Sequence, residues 1–120
     1  MPSTRDVLDH HLQCFGAGDL EGILADYTAD SALLTPDGAL RGVPAIREFF
    51  ARAFAEFQQP GTTMTMHQLL VEDDCAFVRW EAETGDHRYE GATDTFVIRD
   101  GQIAVQTFSA KVIAKNPSKA

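Results

Sequence analysis

The stretch Thr93-Asp94-Thr95-Phe96-Val97-Ile98-Arg99-Asp100-Gly101-Gln102-Ile103-Ala104-Val105-Gln106-Thr107-Phe108 holds two runs of β-branched and aromatic residues joined by Asp-Gly. Asp-Gly between such runs is a strong hairpin signal, and the loop length decides which side chains share a face. A two-residue loop groups Asp94, Phe96, Ile98, Ile103, Val105 and Thr107. A three-residue loop with a bulged Gly101 groups Asp94, Phe96, Ile98, Ala104, Gln106, Phe108 and Ala110. The second register is preferred, because it gathers Phe96 and Phe108 on one side and leaves Thr93, Thr95, Val97, Ile103, Val105 and Thr107 on the other.

Working backwards, Thr63–Val71 and Cys75–Thr84 are also rich in β-branched and aromatic residues and are bounded by turn signals. With Tyr89–Arg99 and Ile103–Ala114 they predict four long antiparallel strands. On the second of these, hydrophobicity favours Val78, Trp80 and Ala82 as the inward set over Phe77, Arg79 and Glu81. An inward Arg79 and Glu81 would have to be desolvated and paired.

The first half of the chain is helical. Ser3 and Asp6 form an acidic variant of the capping box ahead of Val7, Leu8, Leu12 and Phe15. Gly16 and Gly18 stop this helix. Asp19 is placed to cap a short second helix with Leu20, Ile23, Leu24 and Tyr27 as its apolar face. Ala32-Leu33-Leu34 followed by Thr35-Pro36-Asp37-Gly38 predicts one short strand and a loop. Pro44 suits the first turn of a third helix, whose Ile46, Phe49, Phe50, Ala53, Phe54 and Phe57 form a wide apolar stripe ended by Pro60-Gly61. Helices followed by a meander, without βαβ alternation, is an α+β pattern: three helices packed on one face of a curved antiparallel sheet. Residues 1–120 read as one domain, with Asn116–Ala120 as a disordered tail.

The bulk numbers agree and exclude whole classes of partner. The 120 residues are 44% hydrophobic and 23% charged, within the range of one globular core. A net charge of −8 argues against nucleic acid and anionic membrane as partners, because both need clustered Lys and Arg. Cys14 and Cys75 form no CxxC pair and no zinc-spaced cluster, so no metal is expected and a reducing compartment is the default. The first fifteen residues are too charged for a signal peptide, and the expectation is a soluble, cytoplasmic protein.

Candidate chemistry follows from the faces. Asp94 shares a face with Phe96, so it points towards the helices, where a carboxylate must be paired, hydrogen-bonded or protonated. Burial would raise its pKa and make it a proton donor, a general base or a neutral hydrogen-bond donor. The competing reading puts Asp94 at the sheet rim, capping a loop or pairing with Arg88. His11 lies on the apolar stripe of helix one; a lone inward histidine is usually a satisfied core group, but with Asp94 in one cavity it can share or relay a proton. Gln106 can orient a polar ligand group or Asp94 itself, or make a structural hydrogen bond. Tyr27 and Trp80 can line a cavity with one polar handle each, or simply pack. Phe50, Phe54, Phe96 and Phe108 complete the expected apolar lining. His67 faces either way. The outer sheet face is too apolar for plain surface, and a homodimer through that convex face is expected.

The ordered set Gly18-Asp19-Leu20, Tyr27-Thr28-Ala29-Asp30-Ser31-Ala32, Gly42-x-x-Ala45-Ile46 and Asp94-x-Phe96-x-x-x-Asp100-Gly101-x-Ile103 resembles the nuclear transport factor 2-like superfamily. The nearest branches are the SnoaL-like and ketosteroid isomerase-like proteins. The resemblance spans nearly the whole chain and implies a cystatin-like cone. By position it places Asp94 at the oxyanion-hole acid of ketosteroid isomerases, His11 at their oxyanion-hole tyrosine, Gln106, Phe108 and Ala110 at pocket-lining positions, and Thr35 at their aspartate base. A hydroxyl without a strong neighbouring base cannot abstract a proton α to a ketone, so steroid isomerisation is not expected. Asp37 could substitute only through a shifted loop, and Pro-Asp-Gly is ordinary turn composition.

The expected function is a small-molecule pocket of isomerase, cyclase or dehydratase type, acting on an apolar carbonyl compound without a cofactor, with Asp94 as proton donor or acceptor and His11 as its partner or as an oxyanion donor. Its alternative is a non-catalytic ligand-binding or dimerisation domain.

Overall fold

The computed structural model describes residues 1–115, so the expected tail at Asn116–Ala120 lies outside the described residues. Helix α1 spans Thr4–Ala17 and is opened by the predicted box: Ser3 accepts the Asp6 amide while the Asp6 carboxylate accepts the Ser3 amide. Gly18 closes it in the left-handed conformation. Asp19 caps the short α2, Leu20–Leu24. Helix α3, Val43–Phe57, carries Pro44 in its first turn and buries Ile46, Phe50 and Phe54.

Six strands follow the order β2-β1-β6-β5-β4-β3. The four long ones form the expected meander: β3 Thr63–Glu72, β4 Cys75–Glu83, β5 His87–Arg99 and β6 Gln102–Ala114. The single short strand expected near Ala32 is instead a hairpin, β1 Tyr27–Thr35 with β2 Gly38–Arg41. Tyr27 therefore opens a strand and does not belong to the second helix, which ends at Leu24. The sheet is also not wholly antiparallel, because β1 runs parallel to β6. Ser31, fully closed off, fixes this crossing by donating to the Ile103 carbonyl at 2.6 Å and accepting the Thr28 amide at 2.8 Å.

The last hairpin combines the two registers weighed above. Arg99 pairs with Gln102 around a two-residue turn in which Asp100 and Gly101 have φ of 53° and 73°. Such a turn twists with the strands, and Asp and Gly tolerate its left-handed φ values. The bulge lies further on, where Ile98 pairs with Ile103 and Val97 with Val105, which skips Ala104. Phe96, Gln106, Asp94 and Phe108 thus share the inner face as expected. Ile103 does too: it is fully buried against Ile98, which corrects its assignment to the outer face.

A second bulge, at Gly91, has the larger consequence. Tyr89 and Asp94 are five residues apart, so a regular strand would send them to opposite faces. Both are buried on the inner face because the β5 register shifts between Glu90 and Thr93, with Gly91 at φ 58°. Val78, Trp80 and Ala82 of β4 face the same way, as hydrophobicity indicated. A third shift in β3, between Met66 and Gln68, leaves His67 on the outer side, bonded to Glu81 at 2.7 Å.

These bends make a concave sheet that α1 and α3 close. The core between them includes Val7 and Leu8 of α1, Phe50 of α3, Leu33 of β1 and Phe96 of β5, each no more than 2% exposed. On the convex face the residues Leu34, Thr107, Thr95, Phe77 and Leu70 are successive cross-strand partners over five strands.

Gly91 supplies a direct check. A Cβ at this position meets nothing within 4 Å, so Gly91→Ala is strained only through its backbone. An L-residue in the left-handed region costs about 1–2 kcal/mol. Urea unfolding of Gly91→Ala is expected to show that loss of stability with an unchanged denaturant slope.

Candidate active site

Asp94 occupies the middle of β5 between Val78 and Phe108 on the neighbouring strands. At 8% exposure its carboxylate has little water, and each oxygen has a donor in its place. Trp80 Nε1 donates to Oδ1 at 2.9 Å and Gln106 Nε2 donates to Oδ2 at 2.8 Å. Both donors hang from strands adjacent to β5, so the sheet register itself builds the contact. Burial pushes the Asp94 carboxyl up to about 6, while the Trp80 and Gln106 hydrogen bonds pull it back towards the ionised form. Arg88, the partner in the rim reading, lies by Glu90 instead, at 3.9 Å.

The orientation of Gln106 fixes the rest of the chain of contacts. With its amide nitrogen on Asp94, its oxygen accepts the Tyr27 hydroxyl. That hydroxyl has one proton and has given it to Gln106, so towards His11 Nδ1, 3.4 Å away, it can only accept. Nδ1 of His11 therefore carries the hydrogen and Nε2 the lone pair. His11 is pulled down to about 3, first by burial and then by the charge of His10, so the ring is neutral. Its edges meet the rings of Phe96 and Phe50 at centroid distances of 5.0 and 5.8 Å. No fully closed-off side-chain nitrogen or oxygen among the described residues lacks a partner, and Nε2 has none, so Nε2 reaches the cavity.

His11 and Asp94 thus do not touch; Tyr27 and Gln106 stand between them. Both line one cavity of about 770 Å³ under the concave sheet, together with Trp80, Phe96, Gln106, Phe108 and Phe50. Two expected lining residues are absent from its wall. Phe54 packs into the core against Phe15 and Phe50, and Tyr27 lies behind Gln106, because the start of β1 carries it below the cavity floor. Thr35 and Asp37 also line the cavity. The Thr35 hydroxyl donates to the Gly38 carbonyl and accepts the Asp37 amide, so it serves the turn.

Sequence reasoning missed a second polar group on the wall. Glu56 of α3 accepts from the Thr84 hydroxyl at 2.7 Å, His87 Nδ1 at 3.0 Å and the Tyr89 hydroxyl at 2.9 Å. Burial, and then this hydrogen bond, push the Tyr89 hydroxyl well above the ordinary tyrosine value, so it remains a neutral donor. His87-x-Tyr89 at strand spacing was the available signal, but its partner is 31 residues away in sequence. Trp80 lies between the two polar groups, with Tyr89 at 5.9 Å and Phe108 stacked at 6.1 Å.

The SnoaL-like domain family matches residues 8–106 of the chain. Among solved structures, the epoxide hydrolase/cyclase-like enzyme SalBIII of pyran ring formation in the polyether salinomycin aligns with a TM-score of 0.76 at 17% identity, covering 92% of this chain and 95% of its own. A protein from Kribbella flavida provisionally named a ketosteroid isomerase gives 0.73 at 19% identity, covering 90% and 77%. An NTF2-like protein of unknown function from Cytophaga hutchinsonii gives 0.69 at 10% identity, covering 99% and 96%. At these identities the likeness establishes the fold alone. No curated protein matches the chain in sequence.

The two buried ionisable groups have opposite linkage to pH. Asp94 binds its proton more tightly when folded, so it contributes stability below about pH 4 that is lost as pH rises through about 6. His11 binds its proton less tightly when folded, so it contributes stability above about 6.5 that is lost as pH falls towards 3. Removing Asp94 leaves the second effect unopposed. Asp94→Asn is expected to lose stability more steeply than the unmodified protein between pH 6.5 and 4, measured by urea unfolding at each pH.

Proposed function

The chain belongs to the SnoaL-like domain family, and from the contents of its cavity we propose that it moves a proton on a small apolar carbonyl compound, as an acid–base enzyme of the isomerase, cyclase or dehydratase type. The observation that carries this reading is the state of Asp94. Both its oxygens already accept hydrogen bonds, each keeps a further lone pair, and its pKa of about 6 places it near the working range of a general base. The oxyanion-donor role suggested by the resemblance requires a protonated Asp94, whereas Trp80 and Gln106 both favour the carboxylate. In this reading Asp94 takes a proton from carbon α to the carbonyl, the C–H electron pair passes into the enolate, and the proton returns to the same or a neighbouring position. His11, held neutral with Nε2 open, accepts a hydrogen bond from a substrate or product hydroxyl.

Steroid isomerisation is not proposed, because Thr35 is committed to its turn. Fold likeness does not choose among the remaining activities. The alternative, a pocket that binds without reacting, has its own support in the fully partnered Asp94, Gln106 and Tyr27 cluster.

A homodimer through the convex face is part of the same proposal. The row from Leu34 to Leu70 leaves those two residues 42% and 53% exposed, and Val97 and Val105 lie half-buried beside it. A flat apolar ladder of this kind is self-complementary under a two-fold axis. Cys14 and Cys75 are both free thiols, which suits a reducing compartment, and on that ground we place the protein in the cytoplasm.

Proton abstraction can be read without knowing the product. Exchange of α-hydrogens for deuterium in a panel of apolar ketones, followed by NMR, is expected to be catalysed by the protein, with a rate that rises with pH through about 6. Asp94→Asn is expected to lower it about 10²–10⁴-fold. Full exchange activity in that variant would remove Asp94 from the role, and no exchange with any ketone would favour the binding alternative. For the assembly, sedimentation is expected to show a dimer that Leu70→Lys with Val97→Lys converts to monomer.

A further inference from the structure

We propose that the cavity contains a second ligand subsite at Glu56, built to seat a protonated amine at the end remote from Asp94. This deepens the reading of the same cavity, but its binding arm does not depend on whether catalysis occurs.

Two observations point to it, and a third concerns the opposite end of the same cavity. The first is hydrogen-bond capacity. Glu56 Oε2 accepts from Thr84 and His87, and the Tyr89 hydroxyl lies 2.9 Å from both oxygens, so Oε1 has no donor of its own beyond that shared contact. The Glu56 side chain is 17% exposed and lines the cavity, so this capacity faces the space a ligand would fill. The second is charge. The cavity wall holds the carboxylates of Asp37, Glu48, Glu56 and Asp94 against the single guanidinium of Arg52, which is itself paired with Glu48 at 2.6 Å. Low-dielectric walls focus such a field and raise the local concentration of cations. The third is the remaining polar atom. Nε2 of His11, on a residue only 4% exposed, has no partner among the described residues and, in the tautomer set by Tyr27, can only accept. Both ends of the cavity therefore ask a ligand for donors.

Aromatic rings line this end of the cavity. The Phe57 and Tyr89 rings are 5.1 Å apart, and Tyr89 lies 5.9 Å from Trp80. Ring faces beside a carboxylate favour a cation over a neutral donor of the same shape. An anionic ligand meets the opposite arrangement: four carboxylates and, among the described residues of the wall, only the Arg52 guanidinium already paired with Glu48. The ligand class assigned is an apolar amine whose uncharged end reaches the Asp94 and His11 floor.

Trp80 is the only tryptophan of the chain and touches both ends, so its fluorescence reports occupancy directly. The probes are 4-phenylbutylamine, 4-phenylbutan-1-ol and 4-phenylbutyrate, of matched shape and different charge, titrated at pH 8. The amine is expected to bind about tenfold more tightly than the alcohol and the carboxylate more weakly than both, with the preference for amine over alcohol shrinking as salt is raised. Glu56→Gln is expected to abolish that preference while leaving alcohol binding in place, which also shows that the variant has kept its cavity. Asp94→Asn is expected to retain the preference, so loss of proton transfer and loss of the amine seat are separable results. Equal affinities for amine and alcohol, failure of the amine to bind, or an undiminished preference in Glu56→Gln would overturn the proposal. If Glu56→Gln does not fold, the ranking and salt dependence of the unmodified protein decide alone.

Discussion

The carboxylate of Asp94 sits where little water can solvate it, so its oxygens have to be met by donors carried on other strands. Trp80 comes from β4 and Gln106 from β6, and neither can reach Asp94 unless all three side chains lie on one face in one register. An unpaired buried charge of this kind costs several kcal/mol, enough to threaten a domain of ordinary stability. The sheet register, the orientation of Gln106, the proton on Tyr27 and the tautomer of His11 all follow in turn from satisfying that one group. The chain of contacts is directional, so each member has a single permitted protonation pattern near neutral pH.

The same requirement explains why the sheet is bent where it is. Bulges at Gly91, at Ala104 and near His67 each change the side on which the following residues fall. The Gly91 bulge puts Tyr89 on the inner face with Asp94, where its hydroxyl meets Glu56 of α3 on the wall of the same cavity. The cavity thus has two polar ends, with Trp80 between them. One end holds a carboxylate shifted towards neutrality and a neutral imidazole. The other holds a carboxylate surrounded by donors.

Much of this was legible from the amino acids. The capping box at Ser3, the stripe of phenylalanines on α3 and the four-strand meander are local patterns, and local patterns are what a sequence displays. Placing Asp94 and Gln106 on one face needed strand alternation and the choice of a bulged register in the last hairpin. What escaped was non-local. Tyr27 looked helical because it extends the spacing of Leu20, Ile23 and Leu24, but its pairing with β6 prevailed over that periodicity. Ile103 falls on the inner side because the bulge lies two residue pairs beyond the turn and not in the turn itself. Phe54 sits on the correct helix face yet packs behind the cavity wall. The Glu56 cluster joins α3 to two strand ends, and no spacing rule connects residues so far apart.

Burial lifts the Asp94 carboxyl to about 6 against the downward pull of the hydrogen bonds from Trp80 and Gln106. Selective carbon-13 labelling of aspartate, with the side-chain carboxyl of Asp94 followed by NMR from pH 3 to 9 in the unmodified protein and in Trp80→Phe, tests it directly. The account predicts a midpoint near 6 for Asp94 and a higher one when the indole donor is lost. A midpoint at the ordinary aspartate value of about 4, or one indifferent to Trp80→Phe, would contradict it.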